Sequence, residues 1–180
     1  MPHQYFIGIT PPQDFLSKVE HFQRKWINFL GVEPHITLKA QGGLTPDKKW
    51  IEKVEENVCK KIQPFILTLA KPNYFGDNIL YLSVTSDSLF SLHEAIVKAI
   101  SPPEELIKHY FELDDYVGHL TLGKEQYGIS KSELKDMELL AKQELTPYPT
   151  FKVESIRIYE LKPSNKRYEP YVDLPLGADL

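Results

Sequence analysis

At 180 residues, 42% hydrophobic and 26% charged, the chain is long enough to bury a core and has an ordinary globular composition. Its net charge of −4 excludes a global basic field for gripping long nucleic acid, so any RNA contact is expected at an end or a small fragment. The single cysteine, Cys59, excludes an intrachain disulfide, fits a reducing compartment, and is expected to be a buried, inert thiol on a helix.

Met1 to Tyr5 show no basic segment leading into an apolar run, so no signal peptide is expected. Gln4 to Thr10 reads as a strand, broken by Pro11 and Pro12. Phe15, Val19, Phe22, Trp26 and Phe29 recur at helical spacing and predict an amphipathic helix over 13–30, stopped by Gly31. Val32 to Ala40 is a second strand. Thr45 and Pro46 have the form of an N-cap followed by a first-turn proline, and open a helix carrying Trp50, Val54, Val58 and Ile62.

Residues 64–71 and 78–85 read as strands joined by a turn. The first of these contains the longest apolar stretch, near Phe65 to Ala70, which is far too short for a bilayer. Asp87 is placed to cap a third helix with Leu89, Leu92, Ile96 and Ile100, and Glu104 to Tyr110 adds a short helical piece. Val117 to Leu122 is a strand. Ser130 and Glu133 form a capping-box pattern ahead of Leu134, Met137 and Leu140 or Ala141. Residues 151–160 alternate as a strand, and a short last strand spans Tyr168 to Val172.

The order is strand, helix, strand, helix, strand, strand, helix, strand, helix, strand, strand. It predicts one bilobal α+β domain of two similar units, approximately 1–78 and 79–180. Two antiparallel sheets would then surround a central cleft, with helices packed outside.

Two stretches match. His35-Ile36-Thr37-Leu38 and His119-Leu120-Thr121-Leu122 both read His-x-Thr-Leu, 84 residues apart. Six histidines and eight threonines give a chance expectation of only about 0.3 His-x-Thr pairs, before the shared Leu is demanded. Side chains alternate across a strand, so His35, Thr37 and Lys39 are expected on one face and Ile36 and Leu38 on the other. His119 and Thr121 likewise oppose Leu120 and Leu122. A lone strand histidine is ordinarily structural; two matched ones suggest two units that face each other across a cleft.

Two histidines across a cleft can divide acid–base work, one neutral and one protonated near neutrality. A phosphodiester needs that division: a proton removed on the attacking side and one delivered to the departing oxygen. Threonine hydroxyls can donate to the non-bridging oxygens, where charge builds. Metal catalysis is not expected, because His-x-Thr is not a ligand spacing, although Asp114 and Asp115 lie near His119. No His-Glu-x-x-His, Gly-x-Ser-x-Gly or Walker-type loop occurs. His3, His21, His93 and His109 share no pattern and are expected on surfaces or helix faces.

The paired motifs resemble the hallmark of the 2H phosphoesterase superfamily, and within it the bacterial branch related to 2′-5′ RNA ligases. Tyr159-Glu160-Leu161 followed by Arg167-Tyr168-Glu169 resembles that family's C-terminal strand pair. The resemblance implies a two-lobed α+β fold and metal-independent action on 2′,3′-cyclic or 2′-5′ phosphodiesters of nucleotides or RNA ends, with no cofactor. It implies that His35 donates the proton, that His119 accepts one, and that Thr37 and Thr121 assist. Arg157, Tyr159, Lys39 and Tyr81 are candidate substrate contacts. The expected protein is a cytoplasmic monomer without membrane contact. The alternative from another class is a module that binds an RNA end or nucleotide and turns nothing over.

Overall fold

A computed structural model describes residues 4–179. Eight strands form one antiparallel sheet: β1 (Tyr5–Ile9), β2 (Ile36–Lys39), β3 (Phe65–Phe75), β4 (Ile79–Thr85), β5 (His119–Lys124), β6 (Thr150–Val153), β7 (Ser155–Lys162) and β8 (Arg167–Pro175). Their spatial order is β6-β3-β4-β5-β2-β1-β7-β8. Five helices accompany them: α1 (Gln13–Gln23), α2 (Lys49–Asn57), α3 (Leu89–Ile100), α4 (Glu104–His109) and α5 (Lys131–Glu144). The two expected sheets are therefore two four-stranded halves of one sheet. They meet where β2 bridges β5 at Ile36 and Leu120.

One face of the sheet supplies the core. Ile7, Ile9, Ile36, Leu38, Leu80, Leu82, Leu120 and Leu122 are all buried beneath the helices, as the alternation of both His strands requires. The capping box forms in full: Ser130 Oγ accepts from the Glu133 N–H and Glu133 Oε1 accepts from the Ser130 N–H. Cys59 is fully buried, and burial pushes its thiol up to about 12, so it is unreactive.

Apart from strand ends that move by a few residues, such as β3 running on to Phe75 and β8 to Pro175, three elements differ from expectation. α1 ends at Gln23 rather than near residue 30. Beyond it Ile27 and Leu30 are buried while Phe29 is 57% exposed, so tertiary packing selects a different apolar set from the one the helical stripe offered. α2 starts at Lys49: Thr45 to Lys48 make a turn instead, with Asp47 Oδ1 accepting from Thr45 Oγ1 and from the Lys49 N–H. The predicted strand over 151–160 is two strands. β6 pairs with β3 and β7 with β1, at opposite ends of the sheet, so the chain changes halves at Glu154.

Candidate active site

The two His strands share an irregularity. Ile7 pairs with Lys39 but Gly8 pairs with Thr37, which leaves Leu38 as an extra residue on β2. Leu80 pairs with Gly123 but Tyr81 pairs with Thr121, which leaves Leu122 extra on β5. A one-residue β-bulge reverses the alternation beyond it. Lys39 and Gly123 therefore turn to the helix-covered face, and Ala40 and Lys124 to the open one. Ala40 and Ile79, the partner of Lys124, both line the cleft. Gly123 meets the core so closely that a Cβ there would lie 2.7 Å from Met137 Sδ.

Extended one residue either way, the antiparallel bridge of Ile36 to Leu120 sets Thr37 opposite His119 and His35 opposite Thr121. Thr37 and His119 line a cleft of about 650 Å³ whose other walls include Phe75, Ile79, Phe111, Tyr116 and Val117. The matched motifs thus meet at the seam between the two half-sheets.

Each imidazole is anchored in the same way. His35 Nδ1 lies 2.8 Å from the Glu33 carbonyl, and His119 Nδ1 lies 2.8 Å from the Val117 carbonyl. A carbonyl only accepts, so the neutral ring carries its proton on Nδ1 and leaves Nε2 for chemistry. His35 Nε2 is 3.2 Å from Thr37 Oγ1. Aromatic rings wall both: Phe6 stands 5.0 Å from His35, and Phe75 stands 4.8 Å edge-on to His119.

Burial lowers both imidazoles below their ordinary 6.5. His35 falls to about 4: burial dominates, the positive charges of His119 and Lys124 add to it, and the Glu33 carbonyl and carboxylate oppose it only in part. His119 is lowered by burial first and by Lys124 second.

The accessory candidates have other tasks. Lys39 is fully buried: its Nζ donates to the Ala40 and Gly42 carbonyls, both at 2.7 Å, and pairs with Glu112 Oε2 at 2.9 Å. The bulge at Leu38 takes it off the cleft face, so it is not available to bind an anion. Arg157 and Tyr159 are also engaged. Arg157 grips Asp173 through two nitrogens, at 2.8 and 3.0 Å, and Glu33 Oε1 through a third at 2.7 Å. Tyr159 donates to the same Glu33 oxygen at 3.0 Å. They clamp the residue whose carbonyl orients His35. Tyr81 is buried, packs 4.2 Å from Phe75 and 5.4 Å from His119, and forms part of that wall.

Several residues around the histidines carried no sequence signal. Lys124 acts electrostatically on both histidines and, among the described residues, has no carboxylate partner; its Nζ lies 4.9 Å over the Tyr127 ring. Strict alternation places it on the wrong face, and only the bulge restores it. His93, expected on a surface or helix face, is 1% exposed and stacks on Tyr116 at 3.8 Å. His21 and His109 are exposed, and His3 lies outside the described residues. Among the described residues no three His, Cys, Asp or Glu side chains come together as a metal-binding group, and no helix is long and apolar enough to cross a membrane.

An antiparallel sheet on an α+β fold thus pairs the two His-x-Thr strands across its own seam. The family model of the 2′-5′ RNA ligase superfamily matches residues 11–165, and the chain belongs to that superfamily. Among solved structures, TT0787 of Thermus thermophilus is similar, with a TM-score of 0.63 and 17% identity, covering 98% of this chain and 100% of that one. E. coli LigT complexed with NADP+ gives 0.61 at 17% identity, and LigT complexed with 3′-AMP gives 0.60 at 18%, each covering 98% of this chain and 99% of the other. These likenesses define the fold. No curated protein sequence shows significant similarity to the chain.

Proposed function

We propose that the chain is a metal-independent phosphodiesterase acting on 2′,3′-cyclic phosphate or 2′-5′ linked nucleotides and RNA ends. The observation that carries this is the matched anchoring of His35 and His119, each held through Nδ1 so that Nε2 is left for proton transfer. Neutral His119 takes a proton from water as the water oxygen bonds to phosphorus. The bond from phosphorus to the leaving ribose oxygen breaks, and protonated His35 supplies the proton that oxygen needs. Thr37 and Thr121 hydroxyls, with the Lys124 ammonium, stabilise the charge on the non-bridging oxygens. If a 5′-hydroxyl attacks the cyclic phosphate in place of water, the same proton transfers join a 2′-5′ linkage, and their reverse cleaves it.

The walls support a small substrate. Phe75, Phe111 and Tyr116 offer aromatic surface, and Lys124 is the cation near both histidines. That suits one phosphate and one base better than a long polyanion.

Two experiments test this reading. A panel of 2′,3′-cyclic nucleotides should be hydrolysed at an undiminished rate in EDTA. Binding of a nucleotide without turnover of any member would leave the binding-module alternative instead, and loss of turnover on chelation would point to metal-assisted hydrolysis.

The pH profile of kcat/KM is the second. It reports the free enzyme, in which both imidazoles lie below 6.5. Activity requires His119 neutral and His35 charged, and because His35 is the more strongly lowered of the two, only part of the free enzyme carries that arrangement at any pH. The value of kcat/KM should therefore rise as pH climbs past about 4 and fall again before 6.5, with the two limbs belonging to the coupled pair. This places the optimum more acid than the near-neutral value that unperturbed histidines imply. The bound phosphodiester anion raises both pKa values, so the profile of kcat should sit at higher pH. A kcat/KM that climbs steadily into the alkaline range would contradict the two-histidine scheme.

A further inference from the structure

A bulge opens a strand ladder, and the carbonyls around it need donors from elsewhere. On β5, Gln23 supplies them. It is the last residue of α1, 4% exposed, and its Nε2 donates to the Thr121 carbonyl at 3.3 Å and the Leu122 carbonyl at 3.1 Å. On β2, the equivalent carbonyls receive two side chains. Tyr116 OH donates to Thr37 O at 2.9 Å, and His93 Nδ1 donates to Leu38 O at 2.7 Å. His93 is held in that tautomer because its Nε2 accepts the Leu113 N–H at 2.9 Å.

All four carbonyls, from the Thr and Leu of each motif, are therefore met by side chains from outside the sheet. The helices are crossed over: α1, which lies between β1 and β2 in the chain, reaches β5, and α3, which follows β4, reaches β2. Packing alone gives no reason for Gln23 at this place. Its Oε1 is buried with no partner among the described residues, a cost that an apolar side chain of the same length would avoid.

We propose that Gln23 on one side, and His93 with Tyr116 on the other, are matched positioning residues. They hold the two bulges and so aim Thr121 with Lys124, and Thr37, into the cleft. The inference rests on the two-histidine reading of the site. It makes each catalytic strand depend on a helix that follows the other unit's opening strand.

The test pairs kinetics with crystal structures of variants. Gln23→Met keeps the length and volume of the side chain and removes the donor. It should lower kcat on a 2′,3′-cyclic nucleotide about tenfold or more with little change in Tm, and cost no more than about threefold in a Thr121→Ala/Lys124→Met background, because Gln23 acts through those two residues. His93→Leu should lower kcat by a similar factor. His93→Gln, which offers Leu38 O a donor and the Leu113 N–H an acceptor, should recover to within about threefold of the parent. In the Gln23→Met crystal structure the pairing of Tyr81 with Thr121 should shift and Lys124 should turn away from the two histidines. An unchanged bulge with unchanged kcat, or an equal loss in both backgrounds, would overturn the proposal, as would a His93→Gln variant as impaired as His93→Leu. If the parent protein hydrolyses no phosphodiester, the functional reading fails, and the bulge geometry in the variant structures still decides whether these side chains hold it.

Discussion

Replacing either His35 or His119 by alanine is expected to lower kcat/KM on a 2′,3′-cyclic nucleotide by about 10²–10⁴, the range for a positioned proton-transfer group. The two losses should not multiply in the double variant, because one imidazole without the other completes no turnover. Nucleotide affinity should change far less, since the aromatic walls and Lys124 remain. Thr37→Ala and Thr121→Ala should act mainly on kcat, because their hydrogen bonds strengthen as phosphate charge builds. The roles separate with a substrate whose leaving group, such as p-nitrophenolate, needs no proton. It should partly rescue His35→Ala, the proposed donor, and not His119→Ala. Rescue of His119→Ala alone would exchange the roles and keep the mechanism. Full activity in both single variants would leave only a binding function.

The twin motifs were legible because their chemistry is local: His and Thr two residues apart share a face in any regular strand. The start of α5 at Ser130 and Glu133 was legible for the same reason, whereas the Thr45-Pro46 pattern opens a turn and not α2. What alternation could not convey is the bulge. An extra residue at Leu38 and at Leu122 exchanges faces for everything after it, which hides Lys39 and turns Lys124 to the face that carries the histidines. Arg157 and Tyr159 are candidate substrate contacts from the sequence, but their partner Glu33 is more than 120 residues away, and only the folded chain shows that it occupies them. His93 illustrates the same limit. On a helix pattern it is one polar residue among leucines, and its burial follows from Leu38 O and the Leu113 N–H lying on either side of its ring.

Breaking the Lys39–Glu112 pair should produce the largest loss of stability. Both side chains are buried, Lys39 completely and Glu112 to 4% exposure. Burial lowers the Lys39 pKa and raises that of Glu112, and each group's charge opposes the other's shift. Glu112→Ala leaves an ammonium in the core with two carbonyls and no counter-charge, and also frees the Ala40 N–H that Glu112 Oε2 accepts at 3.2 Å. Removing one member of a buried pair typically costs about 3–5 kcal/mol, and that is the loss expected in urea unfolding. The consequences extend to the cleft. Phe111 and Leu113, on either side of Glu112, hold positive φ angles of 54° and 58°, conformations that persist only when their surroundings impose them. Lys39→Met should also destabilise, because it leaves the Glu112 carboxylate buried. The double variant Lys39→Met/Glu112→Leu should lose clearly less than the sum of the two single changes. At a temperature where Lys39→Met is still folded, its KM for the phosphodiester should match the parent's, since the ammonium faces the core. A raised KM with unchanged stability would instead make Lys39 an anion ligand and contradict its assignment to the helix-covered face.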